Sequence, residues 1–369
     1  MQKKAKIATT TNMRGDLVEN KRNYGIDALR LVLMYMVCVL HTLGQGGILN
    51  ASSKGSLGYY VFWLLEIFSY CAVDGFAIIS GYTAVDRPRK YEKIVDMWFQ
   101  AFFYSFVVTA VFTVIGVNTD WNIKDMIKCA LPVTFEKFWY FTAFFALFFV
   151  IPVLNKFLFS LDEKAARKAL FILVVLFSGV GSVSNAFKTQ GGYSALWLMV
   201  LYCIGALAKK SRLLENKRTI LLVFTWGGST LITWLAHAFI GTNRLTSYVS
   251  PTILLNGLIM VVLFSRIKLK GNIISKISPL AFGIYLFQLN QVIWNHYLKG
   301  AFSFVVQHSV FIGMLCVLAF ATLIFVSGLV VEFARAKIAK LIKLPMLSKK
   351  TANLAGIVLE KICSIQIWK

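Results

Sequence analysis

Residues Ile26–Leu43 read IDALRLVLMYMVCVLHTL, an apolar run that is long enough to cross a bilayer yet contains Arg30 and His41. Placing an arginine in hydrocarbon costs roughly 2.5 kcal/mol or more, so an ionisable residue in such a run indicates a functional site. Eleven residues at about 100° each return to nearly the same helix face, about 16 Å further along the axis. The spacing therefore predicts that a fixed cation and a titratable imidazole contact one long anionic ligand inside the protein.

The composition around this run is that of a polytopic membrane protein. The chain has 369 residues, of which 58% are hydrophobic and 15% charged, and its mean hydropathy is +0.69. Soluble domains have a higher fraction of charged residues and a lower fraction of apolar residues than this chain. A net charge of +23 is also found in nucleic-acid-binding proteins. Here the basic residues cluster between apolar segments, which indicates membrane topology, and no nucleic-acid partner is expected.

Apolar segments predict an all-α protein of about ten transmembrane helices. They lie at about 25–45, 59–82, 95–116, 138–158, 168–185, 193–208, 218–240, 247–265, 275–297 and 307–332. With the amino terminus inside, 31 lysines and arginines fall on the inner side and seven on the outer side, and Arg30 is the remaining one of 39. The positive-inside rule therefore places both termini in the cytoplasm.

This topology predicts three regions in the chain. Residues 1–24 form a basic cytoplasmic segment, 25–332 the ten-span membrane domain, and 333–369 a basic amphipathic cytoplasmic tail. The tail mixes apolar residues with lysines at helical spacing, which is typical of a helix on an anionic membrane surface. A plain basic tail that only fixes the topology is the alternative.

Four ionisable residues within the first two predicted spans are candidates for chemistry. His41 is either the reactive group or a satisfied core histidine. Arg30 forms either a ligand contact or an intrahelical pair with Asp27, and the two are compatible. Glu66, at a depth similar to His41, is placed to orient the imidazole or raise its basicity. Asp74 lies near mid-membrane, and for both carboxylates helix-packing hydrogen bonds are the alternative.

Two further groups of residues border the predicted spans. The turn containing Arg87, Arg89 and Lys90 follows Tyr82 on the inner side and is either a phosphate site or only a topology signal. The outer ends of the spans carry aromatic and amide side chains, including Trp139, Tyr140, Asn290 and Asn295. Interfacial belts explain the aromatic residues, whereas the amides indicate an outward-facing polar pocket. No metal-binding motif occurs, and no metal is expected.

Several strings in the chain resemble motifs of the acyltransferase-3 family, the multi-pass bacterial membrane enzymes that acylate surface glycans. They are Asp27-Ala-Leu-Arg30 followed by His41, Ala77-Ile-Ile-Ser-Gly-Tyr82, Phe138-Trp-Tyr-Phe-Thr142, Ile151-Pro-Val-Leu-Asn155, Tyr193-Ser-Ala-Leu-Trp197, Tyr202-Cys-Ile-Gly205, Ser250-Pro-Thr252 and Phe282-Gly-Ile-Tyr-Leu286. Their order and spacing cover nearly the whole chain.

The resemblance implies an acyl-CoA donor, in the first instance acetyl-CoA, that enters from the cytoplasm, and a saccharide hydroxyl as acceptor on the far side of the bacterial cytoplasmic membrane. His41 is then the catalytic base and Arg30 a positioning or donor-binding group, and no bound cofactor is expected. The family often has a histidine where this chain has Gln288, so no acid–base role is assigned to that position. The family's basic pair stands here as Arg87-Pro-Arg89-Lys90.

Two other functional classes share this architecture and stay open. One is a transporter or flippase for a glycan or a small anion, although the sequence shows neither the two similar halves nor the broken helices of inverted-repeat transporters. The other is a sensor or scaffold without activity. Direct transfer and a covalent acyl-histidine are equally compatible with the residues, and no oligomeric state is specified. Membrane lipids are the remaining expected partner.

Overall fold

The computed structural model describes residues 22–84, 90–118, 121–271 and 273–362, and within these ranges it is helical without any strand. The predicted all-α fold is confirmed. The longer helices are α1 (Tyr24–Leu43), α2 (Leu57–Ala84), α3 (Tyr91–Val114), α4 (Trp139–Ser160), α5 (Glu163–Val183), α6 (Ala195–Ser211), α7 (Thr219–Ile240), α8 (Pro251–Ser265), α9 (Ala281–Gln288), α10 (Val310–Leu341) and α11 (Leu344–Ile362). Arg87 and Arg89, with most of the basic amino-terminal segment, lie outside the described residues.

Seven helices of the described chain are long and apolar enough to cross a membrane, namely α1, α2, α3, α4, α5, α7 and α10. The polytopic membrane architecture is therefore confirmed. Helix α6 has 17 residues and α8 has 15, so both are short for a span. The count of ten spans and the cytoplasmic location of both termini stay predictions.

Helix α2 lies at the centre of the bundle, where it packs along α1, α6 and α8. Its contact with α6 depends on two glycines. A Cβ atom on Gly81 would lie 1.9 Å from the carbonyl oxygen of Tyr202, and one on Gly205 would lie 2.2 Å from that of Ile78. Small residues allow this backbone approach in membrane bundles. The outer helices α5, α7 and α10 expose apolar side chains such as Phe171, Phe224 and Phe311, as lipid contact requires.

The predicted ninth span is broken in the structure. It consists of short turns at Ile274–Ile277 and Ser278–Leu280, helix α9, and a π-helical turn at Ile293–Leu298. The Asn290 side chain causes the break, because its Oδ1 accepts from the backbone N–H groups of Val292 (3.0 Å) and Ile293 (3.2 Å) in place of main-chain partners. The sequence pattern did not predict this break.

Helix α10 continues beyond residue 332, the predicted end of the membrane domain, as far as Leu341. Near its end Glu332 and Arg335 form a buried ion pair at 2.6 Å. The Tyr104 hydroxyl of α3 donates to the same carboxylate at 3.0 Å. Helix α11, which covers most of the predicted tail, packs against α3. Its location at a membrane surface stays a prediction.

We predict that Gly81→Ala and Gly205→Ala each lower the stability of the folded bundle. Forcing a methyl group against a backbone carbonyl costs about 1–3 kcal/mol, so the midpoint of thermal unfolding in detergent should fall. Gly227→Ala in α7 is the matched control, because nothing lies within 4 Å of a Cβ added there. Equal unfolding midpoints for the three variants would contradict close packing of α2 and α6.

Candidate active site

A cavity of about 740 Å³ lies between α1, α2, α3, α4 and the broken ninth segment. Pockets that bind small molecules and cofactors usually measure about 300–1,000 Å³. Arg30 and His41 both line it, as their spacing on one helix face predicts. The other polar or charged residues in its wall, apart from tyrosines and tryptophans, are Gln45, Glu66, Ser80, Lys93 and Ser278.

His41 is held by a hydrogen bond between its Nδ1 and the Oε1 of Gln288, at 2.9 Å. A carbonyl oxygen only accepts, so Nδ1 carries the proton and Nε2 keeps its lone pair. Gln288 is fully buried, and its Nε2 lies 3.7 Å from the sulfur of Met34. Trp294 packs against the imidazole in a T-shaped arrangement, with the ring centroids 4.9 Å apart. Both contacts come from the broken ninth segment, which therefore fixes the tautomer and the orientation of His41.

Arg30 marks the other end of the cavity, near the start of α1. Its guanidinium lies 2.6 Å from Asp27, which also pairs with Arg22 at 2.5 Å. The side chain of Arg30 keeps 34% of its surface exposed and lines the cavity. Arg30 therefore pairs with Asp27 within α1 and is at the same time placed to contact a ligand in the cavity. Lys93 of α3, an exposed residue, also lines the cavity, so two cations border it.

Glu66 lines the cavity and is 7% exposed. The sequence predicts that Glu66 orients the imidazole of His41, but in the structure the imidazole is hydrogen-bonded to Gln288. The Oε2 of Glu66 is buried and has no hydrogen-bond partner in the described chain. Sequence reasoning missed Gln288 as a partner of His41. The available signal was a lone amide in an otherwise apolar string, at a position where the family often has a histidine.

The predicted acceptor residues separate into two groups. Trp139 and Tyr140 line the cavity. The other three do not lie in its wall: they are Asp74, Asn290 and Asn295. Asp74 is fully buried and accepts a hydrogen bond from the Trp197 indole at 3.1 Å. Asn290 holds the break described above, and Asn295 is exposed. A role for these three in binding an acceptor stays a prediction.

The predicted donor-binding residues are also spread out. Tyr82 is buried outside the cavity wall, and its ring lies 5.1 Å from the ammonium group of Lys209. Lys90 is exposed at the residue that precedes α3. Arg87 and Arg89 belong to the part of the chain that is not described. The sequence did not single out Lys93, because a lysine that follows a basic turn looks like one more topology determinant.

Comparison with known protein families decides the class of this protein. The acyltransferase-3 family model, described as an acyltransferase domain, matches residues 23–331. The chain belongs to the acyltransferase-3 family. Comparisons with curated proteins and with solved structures gave no match. As a member of the acyltransferase-3 family with several apolar helices of membrane length, it is a multi-pass membrane acyltransferase, and His41, Arg30 and Gln288 all lie in the matched region.

We predict that Gln288→Leu lowers the rate of acyl transfer by about 10–100-fold, the usual effect of removing the partner that orients a functional histidine. The variant leaves the Nδ1–H without an acceptor and releases the ring. Gln288→Glu keeps an acceptor oxygen and should retain much more activity. Gln100→Leu in α3 is the matched control, because Gln100 does not line the cavity and its Oε1 has no partner in the described chain. Equal rates for Gln288→Leu and Gln100→Leu would remove the positioning role.

Proposed function

We propose that this protein transfers an acyl group, in the first instance acetyl, from cytoplasmic acyl-CoA to a hydroxyl of a cell-surface or lipid-linked polysaccharide at the bacterial cytoplasmic membrane. The observation that carries the proposal is one cavity with cations at one end and a tautomer-fixed histidine towards the other. Membership of the acyltransferase-3 family supports acyl transfer. The donor, the acceptor and the sidedness are parts of the proposal.

The donor fits the cavity by charge and length. Arg30 and Lys93 provide the cations for the phosphates of CoA, with Arg87, Arg89 and Lys90 as further contacts at the inner mouth. Along α1 the distance from Arg30 to His41 is about 16 Å at 1.5 Å per residue. The wall between them contains Met34, Phe76, Met97 and Phe144. This apolar stretch suits the uncharged pantetheine arm, which brings the thioester to His41.

His41 then acts as the general base. Its Nε2 accepts the proton of the acceptor hydroxyl while the hydroxyl oxygen forms a bond to the thioester carbonyl carbon. The carbon–sulfur bond breaks, the imidazolium donates that proton to the sulfur, and CoA leaves as a thiol. Gln288 stabilises the reacting tautomer throughout, because its carbonyl keeps the proton on Nδ1. In the covalent alternative Nε2 itself attacks the thioester carbonyl carbon and CoA leaves as the thiolate. The acceptor hydroxyl oxygen then takes the acyl group from Nε2, and its proton passes to the released thiolate.

We predict that His41→Ala and His41→Gln both abolish transfer of the radiolabelled acetyl group from acetyl-CoA to cell-envelope saccharide. A general base contributes about 10²–10⁴-fold to the rate, and glutamine cannot accept the proton. His237→Gln is the matched control. This buried histidine of α7 bonds to Tyr59 and Asn243 and does not line the cavity, so its variant should keep activity if it folds.

A His41→Gln variant that transfers at the wild-type rate would remove His41 from the mechanism. Wild-type protein that neither transfers the label nor hydrolyses acetyl-CoA, but moves saccharide across vesicles, would replace the proposal with the transporter alternative. Mass spectrometry of envelope polysaccharide from cells with and without the protein identifies the acyl group and the acceptor.

We further predict that Lys93→Gln and the triple substitution of Arg87, Arg89 and Lys90 raise the KM for acetyl-CoA and leave the KM for the acceptor unchanged. Each removes positive charge where the donor phosphates are placed. Lys268→Gln is the control, because Lys268 is exposed beyond α8 and does not line the cavity. An unchanged KM for acetyl-CoA in both test variants would show that these cations do not bind the donor and only determine the membrane topology.

A further inference from the structure

Four aromatic rings form a continuous row in the cavity wall. Trp139 contacts Tyr193, Tyr193 contacts Tyr248, and Tyr248 contacts Tyr70, with centroids 4.6, 5.2 and 5.4 Å apart. Neighbouring rings are tilted by 51–57° rather than stacked. Tyr193 is 52% exposed, whereas Tyr248 is 7% exposed. The row, which we call the aromatic row, therefore includes an exposed ring at Tyr193 and a buried ring at Tyr248, and all four rings line the cavity.

Glu66 lies at the Tyr70 end of the aromatic row. It precedes Tyr70 by four residues on α2, so the two side chains share a helix face. Its Oε2 is shielded from solvent and lacks a hydrogen-bond partner in the described chain. An unsatisfied buried acceptor is destabilising. Since Glu66 lines the cavity, a ligand that donates a hydrogen bond would remove this penalty.

The charges of the cavity wall restrict what that ligand is. Among the described residues that line the cavity, the only lysine and arginine are Lys93 and Arg30. Both lie near the ends of helices that the topology places inside, whereas Glu66 lies in the opposite half of α2. A carboxylate on the ligand beside Glu66 would lose its hydration without gaining a cationic partner, which is unfavourable in a site of low dielectric. An anionic ligand is therefore disfavoured at this end of the cavity and favoured at the other.

We propose that Glu66 and the aromatic row form the acceptor subsite for a saccharide ring that carries no negative charge. The C–H faces of such a ring pack on aromatic side chains, and a hydroxyl or ammonium group of the ring donates a hydrogen bond to Glu66 Oε2. The subsite brings the sugar from the surface towards His41 and excludes acidic sugars. This inference rests on the proposed transfer function and adds the charge class of the acceptor and the residues that select it.

Direct binding tests the subsite without turnover. The probes are the methyl glycosides of glucose, galactose and mannose, the methyl glycoside of glucosamine, and methyl glucuronide, each added to the full-length protein in detergent. Saturation-transfer NMR should show contact for at least one neutral or amino sugar, with the C–H protons saturated most strongly, and little for the glucuronide. Glucuronide binding equal to that of every other sugar, or no contact for any sugar, would overturn the proposal.

Variants then identify the residues involved. Glu66→Leu removes the acceptor atom and should weaken binding about 2–10-fold, the effect of losing one ordinary hydrogen bond. Glu66→Gln keeps an acceptor oxygen and should bind neutral sugar as the wild-type protein does. Tyr70→Ala should also weaken binding. Two control variants outside the cavity wall should bind as wild type: Glu136→Gln in the loop before α4, and Tyr60→Ala, whose ring packs on Trp234 and Phe239.

Kinetics separate the subsite from the transfer function. If acetyl transfer occurs, Glu66→Leu and Tyr70→Ala should raise the acceptor KM and leave the acetyl-CoA KM unchanged. Normal transfer with an unchanged acceptor KM in both variants would reject the subsite and keep the transfer function. Sugar binding that these variants weaken, in a protein that never transfers acetyl, would keep the subsite and reject the transfer function.

Discussion

Lipid offers no hydrogen bonds, so a polar group at membrane depth needs a partner inside the protein or a space that holds water or ligand. The arrangement around α1 follows from this constraint. Asp27 is held between Arg22 and Arg30, and His41 bonds to Gln288. The same constraint governs the backbone of the broken ninth segment, where the Asn290 side chain replaces main-chain partners. Glu66 Oε2 has no such partner in the described chain, and the residue lines the cavity beside His41 and Arg30, so the cavity is where chemistry is expected.

The cavity differs in charge from one end to the other, and this difference suits a reaction between two unlike substrates. Arg30 and Lys93 provide positive charge near one end of the cavity, and Glu66 lines the other half, at a depth similar to His41. Because electrostatic interactions are stronger in a protein interior than in water, the two ends favour ligands of different charge. A phosphorylated donor and an uncharged sugar would then meet at one imidazole with little competition for each other's sites. Holding both reactants beside the base supplies the proximity that acyl transfer between them requires.

Close packing keeps this arrangement rigid. Helices α2 and α6 approach so closely at Gly81 and Gly205 that neither helix has room to shift along the other. Helix α2 in turn places Glu66, Tyr70 and Ser80 in the cavity wall. At the other end, the Tyr104 hydroxyl and Arg335 share the Glu332 carboxylate, which connects α3 to α10. A Cβ atom on Gly283 of α9 would lie 2.3 Å from that carboxylate. The absence of a side chain at Gly283 thus lets α9, which ends at Gln288, pack against the same cluster that anchors the helix of Lys93.

Local sequence pattern was enough to predict the helical class, the multi-pass membrane character, the family and the shared face of Arg30 and His41, because composition, helical period and motif order are properties of short stretches. The contacts that define the site were not predictable in this way. Gln288 lies 247 residues from His41, and Lys93 reaches the cavity only because α3 packs beside the ninth segment. The break at Asn290 depends on Tyr104 and Thr109 of α3, which bind its amide. The sequence therefore determined which polar groups lie at membrane depth. Tertiary packing alone decided which of them are paired and which face the cavity, because a hydrogen bond needs two groups that the fold brings together.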